Sequence, residues 1–302
     1  FRLNTTGAVD STFKVYQAGA QAAVWAVRPH TDDKIVINGA FTGTPHPSLG
    51  SGVNNVYLER LAVNGGPDNP AFTPNPLIAI YTYATAIQPD GKILVGGAFG
   101  PDSGYPLTGL TRLLSNGSAD SAFATLHAFE GGRPFIDGDV RCIALQADGK
   151  ILIGGAFVNV RTGVKINNVS QYVERRGIAR LNADGSLDTT FNANITGANF
   201  AVNCITIQDT GHILIGGIFQ IVNGTSRPLV ARLINSAATQ SLTYSAGKIT
   251  WNRGGTAPDA SSVTVEYRSA NSGSDWNLVD SIGIAVRDGT TGNWIRNVAD
   301  PI

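Results

Sequence analysis

Residues Leu145 to Phe157 read Leu-Gln-Ala-Asp-Gly-Lys-Ile-Leu-Ile-Gly-Gly-Ala-Phe. The stretch predicts two short strands joined at Asp148-Gly149. That dipeptide suits a two-residue type I′ turn, in which both central residues need φ > 0. Ile151-Leu152-Ile153 is apolar without alternation, so the second strand should be buried on both faces. Gly154-Gly155 then admits a close backbone approach or a bend. The phrase returns at Ile87 to Phe99 and at Ile207 to Phe219. A worn copy runs from Lys34 to Phe41, with Asp32-Asp33 in place of the Asp-Gly turn and Asn38 in place of a glycine.

A second phrase lies between these copies. Its clearest form is Arg180-Leu181-Asn182-Ala183-Asp184-Gly185-Ser186-Leu187-Asp188-Thr189-Thr190-Phe191. Related copies start at Arg2, Arg60 and Arg112, and a fifth starts at Arg232 and departs after Asn235. In the Arg60 copy one residue is added and Asn69 reads as the residue in the Asp position. The arginines are separated by 58, 52, 68 and 52 residues. The second glycines, Gly39, Gly97, Gly155 and Gly217, are separated by 58, 58 and 62. Self-similarity at such a period means a repeat architecture.

Each unit should hold four strands, in the third case Val140–Gln146, Lys150–Phe157, Gly177–Asn182 and Ser186–Phe191. Four short antiparallel strands per unit, packed on both faces by their neighbours, predict a β-propeller. The expectation is an all-β single domain of five four-stranded blades. Regular units span about 14–72, 73–123, 124–191 and 192–235. Residues 236–302 form a divergent last blade or cap, and 1–13 are candidates to close the ring by pairing with it, removing an exposed edge. Length varies between the second and third strands, at Thr42–Glu59 and Val158–Arg176. Insertions at one place in the unit fall on one face, the usual binding face.

Composition narrows the functions. The chain has 302 residues, 42% of them hydrophobic, with 15% charged and a formal net charge of zero. A real core is expected. Zero net charge gives no basic stripe for nucleic acid and no attraction to an anionic membrane. No apolar run reaches the ~20 residues that cross a bilayer. Glycine is abundant, 36 residues, as many tight turns require. The chain opens on Phe1 and contains no Met, which reads as a processed product or a fragment.

The two phrases together resemble the delta-60 repeat family, over roughly Phe1 to Asn235. The tail around Trp251-Asn252-Arg253-Gly254-Gly255-Thr256 resembles the segment that often follows such repeats. The resemblance implies a β-propeller, common in large secreted or surface-attached bacterial proteins and in some phage structural proteins. It brings no catalytic residues. Ser269 to Trp276 resembles the Asp-box turn of sialidase-type propellers, with Asn271 where that motif has Asp; there the turn is structural.

No residue set amounts to a catalytic, cofactor or metal site. His30, His46, His127 and His212 lie apart, and His212 stands in the Lys position of the repeat. Asp10, Asp120 and Asp188 recur after turn glycines, which favours turn capping over an acid ring. Arg2, Arg60, Arg112, Arg180 and Arg232 should each pair with an acid or carbonyl of its own blade. Cys142 and Cys204 hold one position in successive units and read as buried free thiols, with an inter-unit disulfide as the alternative; Val24 and Ala84 are aligned with them. Trp25, Trp251, Trp276 and Trp294 read as blade packing, since an aromatic sugar platform needs two rings on one exposed face. Sequons at Asn4, Asn116, Asn168, Asn194 and Asn223 read as ordinary turns.

Three functions fit. The first is a non-enzymatic extracellular module, structural or adhesive, of a surface protein, filament or virion. The second is a carbohydrate- or protein-binding propeller using the variable loops. The third is a glycosidase or lyase. Expected partners are a protein or glycan at the variable-loop face, or self-assembly into a larger particle, with no nucleic acid and no membrane insertion.

Overall fold

A computed structural model describes residues 2–13, 23–30, 33–42, 55–68, 71–73, 82–98, 109–126, 135–260, 263, 265, 285–287 and 293–297. The first sheet contains β1 (Ala23–Pro29), β2 (Ile35–Thr42) and β3 (Asn55–Leu61). The second contains β4 (Thr82–Ile87), β5 (Ile93–Gly97) and β6 (Leu110–Leu113). The short helix α1 (Ser121–Leu126) follows. The third sheet starts with β7 (Asp139–Leu145) and β8 (Ile151–Ala156), then the chain makes the hairpin β9 (Asn159–Ile166) and β10 (Val169–Glu174) before returning as β11 (Ile178–Leu181). After β12 (Ile195–Thr196) come β13 (Val202–Ile207) and β14 (Ile213–Gly217). The small strands β15 (Ile221–Val222) and β16 (Thr225–Ser226) precede β17 (Val230–Leu233). The tail supplies β18 (Ala238–Ser245), β19 (Lys248–Gly255), β20 (Val286–Arg287) and β21 (Trp294–Asn297).

Four sheets repeat one antiparallel plan, β1-β2-β3, β4-β5-β6, β7-β8-β11 and β13-β14-β17. The middle strand is the repeated apolar phrase. Ile93, Leu94 and Val95 in β5, and Ile151, Leu152 and Ile153 in β8, are wholly buried. The reason is that neighbouring sheets cover both faces: Leu94 and Leu110 of the second sheet share one core cluster with Ile151 and Ile153 of the third. Leu152 and Ile178 of the third share the next with Ile213 and Ile215 of the fourth.

The segment expected as a fourth strand is reduced to one bridge. Leu181 pairs with Leu187, as Leu3 does with Val9, Leu61 with Pro67 and Leu113 with Ala119. The chain then turns inward instead of extending the ladder, for a reason given below. The hairpin turn also differs from expectation. Gly149 has φ 81° but Asp148 is not among the positive-φ residues. The Gln146 N–H donates to the Lys150 carbonyl and the Gly149 N–H to the Gln146 carbonyl. The loop therefore has three residues, closed by a left-handed glycine. A two-residue turn with both φ values positive occurs instead at Asn167-Asn168, between β9 and β10.

Every first strand carries a bulge at one place, between Val24 and Ala26, Thr82 and Ala84, Val140 and Cys142, and Val202 and Cys204. The glycine opposite, the second of the pair where there are two, explains it. A Cβ on Gly155 would overlap the Asp139 carbonyl oxygen, as one on Gly39 would overlap Ala23 and one on Gly217 would overlap Ala201. The first glycine of the pair serves the next sheet. A Cβ on Gly96 would lie 2.7 Å from Val140, and one on Gly154 would lie 2.9 Å from Val202. One glycine thus admits the bulged backbone and the other admits the neighbouring blade. The register also aligns Ala26 with the two cysteines, since Ala26 opposes Asn38 as Cys142 opposes Gly154; Val24 does not.

The tail forms a separate four-stranded sheet, β18-β19-β21-β20. Its β19 end docks on the third sheet's turn, where Ala147 and Asp148 donate to the Ala257 and Gly255 carbonyls. Near the N-terminus, Phe13 packs against Ile37 and Leu61 of the first sheet. The segments 43–54 and 266–284, with the Asp-box-like turn, lie outside the described residues.

Candidate functional site

The repeated arginines build one device four times. Arg60 Nε donates to Asp68 at 2.7 Å, Arg112 to Asp120 at 2.9 Å, and Arg180 to Asp188 at 2.8 Å, with Arg2 and Asp10 at 2.8 Å. Each guanidinium lies over a phenylalanine, 4.9 Å from Phe13, 4.8 Å from Phe72, 4.5 Å from Phe123 and 4.9 Å from Phe191. Lysines of the hairpin turn join from the sheet side, Lys34 to Asp68 at 3.0 Å and Lys150 to Asp188 at 2.6 Å. Each arginine also reaches forward one unit. Arg2 donates to the Val63 carbonyl, Arg60 to Ser115, Arg112 to Ala183 and Arg180 to the Asn235 side chain. This clamp is why the fourth segment turns inward: its aspartate and phenylalanine are held beneath the arginine. A buried phenylalanine contributes roughly 2–3 kcal/mol, with a further ~1 kcal/mol from the stacked cation.

The aspartates are therefore structural. Their Oδ1 atoms cap their own turns, accepting from Thr12, Ala122 and Thr190 N–H groups. Burial alone would raise the Asp188 carboxyl, but donors from Lys150, Thr190 and Arg180 hold it well below the usual range. Asp68 and Asp120 are lowered in the same balance. Asp10 is lowered to about 2 by the Thr12 hydroxyl and N–H and then by Arg2. In the first unit Asp68, not Asn69, holds the position, because the Leu61–Pro67 bridge fixes the distance from Arg60; the extra residue falls between Asp68 and Phe72.

The bulges build something different. Because the bulge recurs at one register, its extra residues stand at equivalent places in successive sheets: Trp25, Tyr83, Arg141 and Asn203. First strands of consecutive sheets are neighbours, so these four form a ridge. The Trp25 and Tyr83 rings lie 6.4 Å apart, tilted by 49°. Arg141 is fixed on both sides, donating to Asp139 at 2.8 Å and to the Asn203 side chain at 3.0 Å. Tyr83, Asp139, Arg141 and Asn203 line an open depression of about 390 Å³. Trp25 is 46% exposed, so the expectation of blade packing fails for it. It stands on a strand that is exposed at every position but Ala26. Trp294 is buried as expected.

The ridge shares one end of the sheets with the β9–β10 hairpin, since Asp139 at the start of β7 pairs with Ala156 at the end of β8. Asp137 ties the two by accepting from Val158 and Asn159 N–H groups at 2.7 Å. The Asp-Gly turns and the tail sheet lie at the other end.

Both cysteines are free. Each thiol folds over its own sheet's glycine, Cys142 over Gly154 and Cys204 over Gly216. Cys142 packs toward the fourth sheet, and burial pushes its thiol up to about 12. Cys204 is exposed. His30 bonds the Gly91 carbonyl, and His212 bonds Thr210. The asparagines of the sequons serve as turn residues: Asn4 and Asn116 accept from N–H groups two residues on. Asn168, Asn194 and Asn223 have positive φ. Among the described residues no three His, Cys, Asp or Glu side chains group as metal ligands, and no helix is long and apolar enough to cross a membrane.

Residues 88–123, 146–191 and 208–234 match the model of a family described as a β-propeller domain of unknown function. They coincide with the second, third and fourth apolar phrases and the arginines that follow. The chain is thus all-β with repeats of β-propeller type. No curated protein matches it. Among solved structures it is similar to the extracellular domain of a proposed hybrid two-component system from B. thetaiotaomicron, at 17% identity and a TM-score of 0.30. That match covers 78% of this chain and 34% of the other, so the chain spans about a third of that relative. It is also similar to a proposed gluconolactonase, at 14% identity and a TM-score of 0.29, covering 81% of this chain and 92% of the other. At those scores neither carries an argument about arrangement or activity.

Proposed function

We propose that the protein is a non-catalytic, extracellular adhesive propeller of the delta-60 kind that holds a carbohydrate on the ridge of Trp25, Tyr83, Arg141 and Asn203. The observation that carries this reading is the bulge ridge itself. A structural position repeated four times displays four different side chains, where the clamp positions keep theirs. Two exposed aromatic rings offer apolar faces for sugar C–H groups. Asp139, Arg141 and Asn203 supply an acceptor, a charged donor and an amide for hydroxyls, a few well-placed polar groups beside apolar surface. The site lies at the end that bears the unit insertions, where loops carry binding. A non-catalytic role agrees with the fate of the repeated aspartates. Each is tied to an arginine and lowered in pKa, the reverse of what a general acid needs.

A glycan array probed with the intact protein tests this. Binding to a defined saccharide is expected, and Trp25→Ala should weaken it about tenfold, as loss of ~1–2 kcal/mol of stacking would. Tyr83→Ala should act likewise. Saccharide binding unchanged in both variants, or no binding on the array, rejects the ridge.

A further inference from the structure

The second and third sheets, and the third and fourth, meet through the same three features. A valine at the bulge drops onto the preceding sheet's first glycine. A buried aliphatic on the third strand backs it. The arginine clamp locks the outside. Among the described residues nothing sits on the fourth sheet's half of that contact. Above Gly216, apart from its own Cys204, the nearest atom of those residues that a Cβ would meet is the Leu229 carbonyl oxygen at 3.8 Å. Val230, which pairs with Gly216 as Ile178 pairs with Gly154, is 65% exposed where Ile178 is buried. Arg232 stands in the clamp position, but eight residues on is Gln240, drawn into β18 opposite Arg253. Among the described residues no carboxylate meets Arg232. It borders a cleft of about 590 Å³ that also holds Arg227 and Arg180 and has no Asp or Glu in its lining.

The first sheet presents the complementary half. Val24 is the register equivalent of Val140 and Val202, which are wholly buried, yet it is 53% exposed. Val27 on the same side is exposed too. The first turn module carries Asp10 and Phe13, the two groups Arg232 lacks. Its present arginine, Arg2, is half-exposed, and among the described residues its segment makes one bridge, Leu3 to Val9.

We infer that the chain associates head to tail with a second copy of itself, the fourth sheet of one receiving the first sheet and turn module of the next. Val24 of the incoming copy seats over Gly216, and Asp10 and Phe13 pass from Arg2 to Arg232. The Val63 carbonyl accepts from Arg232 as it now does from Arg2. Among the described residues nothing covers either half, and the two are complementary in shape and charge. A contact between unlike surfaces builds a ring or a filament.

Sedimentation velocity of the intact protein over a concentration series should show reversible association. Arg232→Glu and Asp10→Arg should each weaken it about tenfold or more, as like charges brought together at a contact do. An equimolar mixture of the two should recover it, because each then meets an opposite charge. Val24→Cys should form a disulfide-linked dimer with the native Cys204 of another chain on mild oxidation, since Cys142 lies 3.7 Å from the Val202 carbonyl in the equivalent internal contact. Val24 and Arg232 are exposed and Asp10 is partly buried against Arg2, and the thermal melt reports whether each variant is folded. A wild-type monomer at every concentration overturns the inference, as does association unchanged by Arg232→Glu, or a Val24→Cys disulfide formed within one chain.

Discussion

The first and third sheets adopt the same register with different residues. In the third, Gly154 leaves space that Cys142 and the next sheet's Val202 fill. In the first, Asn38 occupies the glycine position and Ala26 the cysteine position. Asn38 is wholly buried and reaches into the second sheet, donating to the Thr82 carbonyl at 3.2 Å and accepting from the Thr85 hydroxyl at 3.0 Å. A van der Waals knob in one interface is replaced by a polar bridge in the other. The repeat thus conserves a distance between sheets, and either chemistry can set it. The second glycine has no such freedom, since backbone fills the space in both sheets.

The largest effects should follow from that backbone contact. Gly155→Ala forces a methyl into the Asp139 carbonyl, and Gly39→Ala forces one into the Ala23 carbonyl. Each should cost more than about 4 kcal/mol, the diagnostic tail of single substitutions, and be read as loss of folded protein in urea titration. Collapse of one variant with survival of the other would show that the two bulges are not equivalent.

The clamp comes next. Asp188 is 4% exposed on its side chain and holds both Arg180 and Lys150. Asp188→Asn leaves the buried Arg180 and the partly exposed Lys150 without their counter-charge and should cost about 3 kcal/mol. Asp68→Asn should cost nearly as much, since Arg60 and Lys34 hold it in the same way. The pH dependence has a defined sign. A folded carboxyl held below its ordinary value binds protons less readily than the unfolded one. Its contribution is complete above about pH 4, the unfolded value, and is lost as pH falls toward the lowered folded value. Urea midpoints should therefore drop below pH 4 in the wild type and less steeply in Asp188→Asn.

Most of this architecture was legible because it is periodic. The apolar triplets, the turn glycines and the arginines recur, and a periodic sequence of strands that cannot bury themselves has few ways to pack. The clamp was half legible: Arg2 to Arg180 and their aspartates stood out, while their meeting with lysines of the turn needed three dimensions. The ridge was not legible. Trp25, Tyr83, Arg141 and Asn203 share no chemistry, and only the bulge, created by a glycine on the opposite strand, makes them equivalents. The alignment of Val24 with the cysteines missed for the same reason, because sequence matching placed it on the wrong side of the bulge. The type I′ expectation failed at Asp148-Gly149 because the loop gains one residue, which an isolated dipeptide does not reveal.

A smaller effect tests the two kinds of interface directly. Asn38→Gly converts the first sheet's contact to the third sheet's pattern but supplies no Cys142. It removes two hydrogen bonds and leaves the buried Thr85 hydroxyl without its partner, at a cost of about 2 kcal/mol. Adding Ala26→Cys should recover part of that by filling the space over the new glycine. No recovery in the double variant would mean that the polar bridge sets more than the spacing.

The smallest expected change has the opposite sign. Asp33 holds φ 55° at the turn position where Gly149 has 81° and Gly211 has 89°. A left-handed backbone costs an L-residue ~1–2 kcal/mol, less for Asp. Glycine removes that strain but enlarges the unfolded ensemble, which takes back ~0.5–1 kcal/mol. Asp33→Gly should therefore gain about 0.5 kcal/mol, visible as a raised urea midpoint with unchanged slope. Asp33→Asn should leave the midpoint near its starting value, since asparagine tolerates the same conformation. The reverse change, Gly149→Asp, should lose more than Asp33→Gly gains, because a Cβ there meets the Ala183 methyl at 3.2 Å in addition to the backbone strain. A midpoint lowered by Asp33→Gly would show that its carboxylate contributes more to this turn than its backbone angle costs. The first sheet's turn would then be a second solution with its own chemistry, as Asn38 is, and not a worn copy of the third.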